Sequence, residues 1–119
     1  MRVLIAAAAA LIMACSYGAE AQTVGGKYDV KGTNLDGSPY SGTAVITRTS
    51  DSTCRIHWQT GSTSEGICML AGKSFAAAYK LQDSVGLVVY QLRNDGTLDG
   101  VWTIADQSGA GTEILTPFK

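Results

Sequence analysis

From residue 22 onward apolar and polar side chains alternate in short runs, and no stretch carries the i, i+3, i+4 apolar spacing of a helix longer than two turns. The runs predict strands at Lys27 to Gly32, Gly42 to Thr49, Thr53 to Gln59, Glu65 to Leu70, Lys73 to Lys80, Val85 to Arg93, Thr97 to Ile104 and Gly111 to Thr116. Lys73 to Lys80 is rich in Ala and suits a helix, but Phe75, Ala77 and Tyr79 alternate with Ser74, Ala76 and Ala78, which favours a strand with small residues on one face. Asp36-Gly37, Asn94-Asp95-Gly96, Asp99-Gly100 and Gly61-Ser62 read as turns, where Gly accepts positive φ and Asp bonds its own backbone.

Eight short strands in succession predict an all-β fold, an antiparallel up-and-down meander. So short a chain holds one core, so the meander closes into a small barrel or folds into a flattened sandwich, which also removes exposed sheet edges. The 14 glycines fit tightly curved strands. The expected core is Tyr28, Val30, Val45, Ile56, Trp58, Phe75, Tyr79, Val88, Tyr90, Leu98, Trp102 and Ile114.

A hairpin centred on Gly61 sets Cys54 opposite Cys68 and Trp58 opposite Ser64. Directly opposed residues in an antiparallel pair bring their Cα atoms to about 4.5 Å, within disulfide reach. The two thiols are therefore expected to form a cross-strand disulfide.

The N-terminus points to an oxidising compartment. Met1 and Arg2 precede an apolar run from Val3 to Ala14, too short to span a bilayer, and Ala19-Glu20-Ala21 has the pattern read by signal peptidase. Residues 1–21 are thus expected to be a cleaved signal helix, leaving one domain at 22–119, exported to the periplasm or beyond, with no transmembrane segment. Ile12-Met13-Ala14-Cys15 resembles a lipobox, and the alternative is a lipoprotein anchored through Cys15.

Charge narrows the partners. Nine basic and ten acidic residues give a net charge of −1, and the leader removes one of each sign. No basic patch is left for nucleic acid. Two cysteines and the single His57 are too few for a metal site, and neither a Walker pattern nor a dinucleotide-binding glycine motif appears, so no cofactor is expected.

Catalytic chemistry finds little support either. Any Ser-His or Cys-His scheme must use His57, which alternation turns away from Ile56 and Trp58 toward solvent. Glu65 and Glu113 are the only glutamates after the leader, and Asp36, Asp95 and Asp99 each precede Gly, a turn position, so no carboxylate pair for glycoside hydrolysis stands out. The chain is expected to bind rather than to turn over a substrate. If the barrel has an open mouth, Tyr40 and a tryptophan would line a small apolar site. The candidate contact surface is Tyr40, Ser41, Gly42, His57 and Trp58.

Gly26-Lys27-Tyr28, the run from Asn34 to Gly42 and the run from Asn94 to Trp102 resemble hairpins of calycin-type and avidin-type barrels. The order 26 to 34, 36 to 44, Cys54-Arg55-Ile56-His57-Trp58, Glu65-Gly66-Ile67-Cys68-Met69, 86 to 90 and 100 to 106 resembles a family of small exported bacterial proteins labelled fibronectin-binding. That resemblance implies adhesion to host matrix, and the expected partner is a protein, of host matrix or of the envelope. Ser41-Gly42-Thr43 is similar to the Ser-Gly motif of periplasmic inhibitors of c-type lysozyme, without the aromatic and basic neighbours of that motif. Lysozyme inhibition and small-ligand binding are the alternative functions.

Overall fold

The structure is a computed structural model and describes residues 23–119. The expected leader, its cleavage site and Cys15 lie outside the described residues. Eight strands follow one another: β1 (Gly26–Thr33), β2 (Pro39–Arg48), β3 (Cys54–Gln59), β4 (Thr63–Ala71), β5 (Ser74–Leu81), β6 (Ser84–Leu92), β7 (Leu98–Ile104) and β8 (Gly111–Pro117). Each pairs with the next, and β8 returns to β1 antiparallel, so the sheet is a closed barrel rather than a sandwich. Closure leaves no strand edge to template further pairing.

The Ala-rich segment is strand β5, as its alternation predicts. Ala on a pleat costs little when its neighbours supply the bulk, and Phe75 and Ala77 point into the barrel while Ala76 and Ala78 face out. Cys54 lies opposite Cys68 and Trp58 opposite Ser64, and the two cysteines are joined with Cα atoms 5.0 Å apart. Gly61 takes a φ of 91° in the turn between them. Asp36 and Asp95 each accept a hydrogen bond from the backbone N–H two residues on, at 2.9 and 3.0 Å, so both serve the turns that their position before Gly foretells. Asp99-Gly100 is not a turn: it lies within β7, and Asp99 instead pairs with Arg93 at 3.0 Å.

Most of the expected core is inside, Tyr28, Val30, Ile56, Trp58, Phe75, Val88, Tyr90 and Leu98 all being buried. Val45 and Ile114 are corrections, because they face solvent at 42% and 44% exposure. Their neighbours Ala44, Ile46 and Leu115 take the inner positions. The error is one of phase. Ala-Val-Ile and Ile-Leu are apolar at consecutive positions, and a one-residue slip exchanges the two faces of a strand. The outer face is itself apolar in places, with Ile67, Met69, Leu87, Val89 and Val101 exposed, which blurs the alternation that sequence reasoning relies on.

Inward glycines make room for aromatic rings. Gly86 pairs with Tyr79 and Gly111 with Trp102 across neighbouring strands, and each ring lies over the bare glycine. A Cβ at Gly86 would enter the Tyr79 ring and lie 2.6 Å from the carbonyl oxygen of Thr103. One at Gly111 would meet the Trp102 ring and the Thr33 carbonyl. Because backbone blocks the escape on one side, Gly86→Ala and Gly111→Ala are each expected to cost about 1–3 kcal/mol, the range for overpacking. Urea unfolding followed by circular dichroism measures this, and midpoints equal to that of the native chain would refute it.

Candidate functional site

The strand order sets the two ends of the barrel apart. The turns β1–β2, β3–β4, β5–β6 and β7–β8 gather at one end. At the other, Val24, Leu92 and Leu98 are buried, and the disulfide sits inside among core side chains, Cys54 and Cys68 both being buried. The first end holds an open cavity of about 100 Å³ lined by Tyr40, Trp58, Tyr79 and Trp102, with Glu113 in its wall and Asn34, Thr60, Ser62 and Ser64 at the rim.

Glu113 organises this mouth. In β8 the alternation Gly111, Glu113, Leu115 points inward, so a carboxylate stands where its neighbours along the strand are apolar, and Glu113 is only 6% exposed. It accepts the Tyr40 hydroxyl at 2.6 Å on Oε1 and the Trp58 indole N–H at 2.9 Å on Oε2, and the Tyr90 hydroxyl also donates to Oε2. Three donors from β2, β3 and β6 thus converge on one residue of β8. Burying a carboxylate is tolerable only when its lone pairs are met in this way.

The rings stack edge to face around it. Tyr40 and Trp102 have centroids 6.3 Å apart at 69°, and Trp58 and Tyr79 are 5.3 Å apart at 66°. Such T-shaped pairs hold ring orientation beyond what area burial alone provides. Tyr79 donates to the Thr103 carbonyl at 2.9 Å and Trp102 to the Thr112 carbonyl at 3.3 Å, which locks the two half-buried rings against the wall.

Burial first, and then the negative charge of Glu113, pushes the Tyr79 hydroxyl up to about 12 from its ordinary 10.0. The same two causes, in the same order, hold Tyr40 and Tyr90 above their ordinary range as well. Where the unfolded chain has released these protons the native barrel still holds them, so the unfolded state binds fewer protons and stability falls as pH rises. The barrel is expected to lose stability from about pH 10 up through about 12, with a shallower decline in Tyr79→Phe. Urea midpoints across that range provide the measurement, and identical slopes for the two proteins would contradict it.

Of the five residues expected to form a contact surface, Tyr40 and Trp58 meet at Glu113 in the mouth. Ser41 and His57 are exposed on the outer face, His57 opposite Glu65 on the neighbouring strand. Gly42 faces inward, but it is pressed against the backbone of Gln59 and Thr60. Glu65 and Glu113 therefore lie on opposite faces of the sheet and form no acid pair. Sequence reasoning weighed Glu113 only as half of that pair. The signal that would have found it is the inward phase of β8, which the choice of Ile114 as a core residue inverted. Among the described residues no group of three His, Cys, Asp or Glu side chains is placed to hold a metal ion.

No family model matches the chain, and no curated protein matches it. Solved structures do. A redesigned β barrel superposes with a TM-score of 0.72 at 16% identity, covering 81% of this chain and 92% of that one. The redesigned barrel mFAP1, bound to DFHBI, has a TM-score of 0.70 at 18% identity, with 79% and 94% of the two chains covered. A de novo designed fluorescence-activating β barrel has a TM-score of 0.67 at 14% identity, with 82% and 96% covered. At these identities the likeness is one of fold, and in fold the chain is similar to small designed β-barrels.

Proposed function

We propose that the chain is an exported, disulfide-stapled barrel that binds a small molecule in its mouth and performs no turnover. The observation that carries this reading is the lining of the mouth: four aromatic side chains surround the buried Glu113 carboxylate, whereas the pocket of equal volume at the other end has one ring, Phe75, and lies largely among polar loop residues. Pockets for small molecules combine mostly apolar and aromatic walls with a few fixed polar groups, and this mouth has that composition. A cavity of about 100 Å³ accepts the head of a ligand, whose body would then lie between the rings and the hydroxyl-bearing rim. The redesigned barrel mFAP1, similar in fold, binds the small molecule DFHBI, which accords with the reading. The disulfide fits an oxidising compartment and so fits export. Matrix adhesion and lysozyme inhibition rest on sequence resemblance alone, and nothing in the geometry adds to them.

The test is titration of the oxidised protein with an environment-sensitive apolar dye, followed by dye emission and by quenching of Trp58 and Trp102. Saturable binding at one site is expected, and Ser64→Trp, which fills the mouth from the β4 side, is expected to abolish it while the circular dichroism spectrum is retained. Dye binding that is absent, or indifferent to Ser64→Trp, would remove the proposal.

A further inference from the structure

The donors and acceptors of the mouth are unevenly spent. The indole N–H of Trp58 and the hydroxyls of Tyr40 and Tyr90 all go to Glu113. Those of Trp102 and Tyr79 go to backbone carbonyls, and the Asn34 side-chain amide donates to Ser38 at the rim. Every N–H of the walls and every tyrosine proton is therefore committed. The acceptors are not. A carboxylate offers about four lone pairs, and Glu113 uses three, with Oε1 receiving only Tyr40. The tyrosine oxygens keep acceptor capacity as well.

Charge leans the same way. No Lys or Arg lines the mouth, and among the described residues the one ion pair is Arg93 with Asp99, so the carboxylate has no counter-ion. Around it stand the faces and edges of Tyr40, Trp58, Tyr79 and Trp102, and aromatic faces attract cations. An anion entering this mouth would meet a buried negative charge and no free wall donor. A neutral acceptor would find donors only in the rim hydroxyls of Thr60, Ser62 and Ser64, away from the carboxylate.

We infer, on the reading that the mouth is a small-ligand site, that its ligand class is a small organic cation: an ammonium or amidinium head carried on an apolar or aromatic body. The head donates to the open lone pair of Glu113 Oε1 and lies against the rings, and the body fills the outer mouth. The rim hydroxyls of Thr60, Ser62 and Ser64 donate or accept as the ligand requires.

Three probes of nearly equal shape test this on the native, oxidised chain: benzamidine, benzamide and benzoate, each read by calorimetry and by displacement of the apolar dye. Benzamidine is expected to bind about tenfold or more tighter than benzamide, the worth of one charge-assisted hydrogen bond, with benzoate weakest. Glu113→Gln is expected to erase that preference, and Ser62→Lys, which sets a positive charge on the rim, to shrink it. The comparison on the native chain decides by itself if Glu113→Gln does not fold. Benzamide or benzoate binding as tightly as benzamidine overturns the cation assignment and leaves the ligand site standing, as does failure of all three where the dye still binds. Failure of the dye itself removes the site and this inference with it.

Discussion

Glu113→Ala is expected to be among the most destabilising single substitutions in the barrel, lowering unfolding free energy by about 3 kcal/mol or more. The substitution strands the Trp58 N–H and the Tyr90 hydroxyl, both buried, and leaves the Tyr40 hydroxyl only the Thr112 carbonyl at 3.4 Å. A buried donor left without its acceptor costs about 1–3 kcal/mol, and water entering from the mouth relieves part of that sum. Glu113→Gln should be milder. Its amide oxygen still accepts from Trp58 and Tyr90, and its NH₂ donates to a Tyr40 hydroxyl that rotates to accept. Trp58 has no such freedom, because an indole is a donor only. The network is expected to be non-additive: Tyr90→Phe costs less in the Glu113→Ala background than in the native chain, because the donor it removes is already unpaired. Urea midpoints of the four proteins of this cycle provide the measurement, and additive losses, or a Glu113→Ala chain within about 1 kcal/mol of native, would show that the convergent hydrogen bonds contribute little.

Loss of the Cys54–Cys68 disulfide is the second large effect. The cross-link joins residues 14 apart in sequence, and a loop of about that length is worth on the order of 3 kcal/mol through the entropy it removes from the unfolded chain. Domains of this size have only about 5–15 kcal/mol in total, and each kcal/mol moves Tm by about 4–8 °C. Reduction without mutation is therefore expected to lower Tm by more than about 10 °C. Cys54→Ala with Cys68→Ala adds to this by removing buried side-chain volume inside the barrel. Thermal scans with and without reductant make the comparison. Equal midpoints, with thiol titration confirming reduction, would mean that strand pairing alone holds this hairpin.

The strand pattern was legible because short alternating runs and Asp-Gly turns are local signals. The residues from 54 to 68 illustrate the reach of such reasoning. A turn centre at Gly61 and a period of two place Cys54 against Cys68 and Trp58 against Ser64, as observed. The limit of the same reasoning is visible in β2 and β8. There, apolar side chains stand at adjacent positions, and the inward phase is decided by pairing with neighbours on both sides: Ala44 against Tyr28 and Trp58, and Leu115 against Val30 and Leu98. Local alternation carries no information about those partners.

The amino-acid order alone determined that this chain forms eight antiparallel strands and that its two later thiols meet. Only the closed sheet decided what lies inside. Glu113 is 55 residues from Trp58, 73 from Tyr40 and 23 from Tyr90 along the chain. Their convergence depends on β8 returning to β1 and on which face of β8 turns inward. Periodicity names the two faces of a strand, but only the competition of all eight strands for one small interior chooses between them.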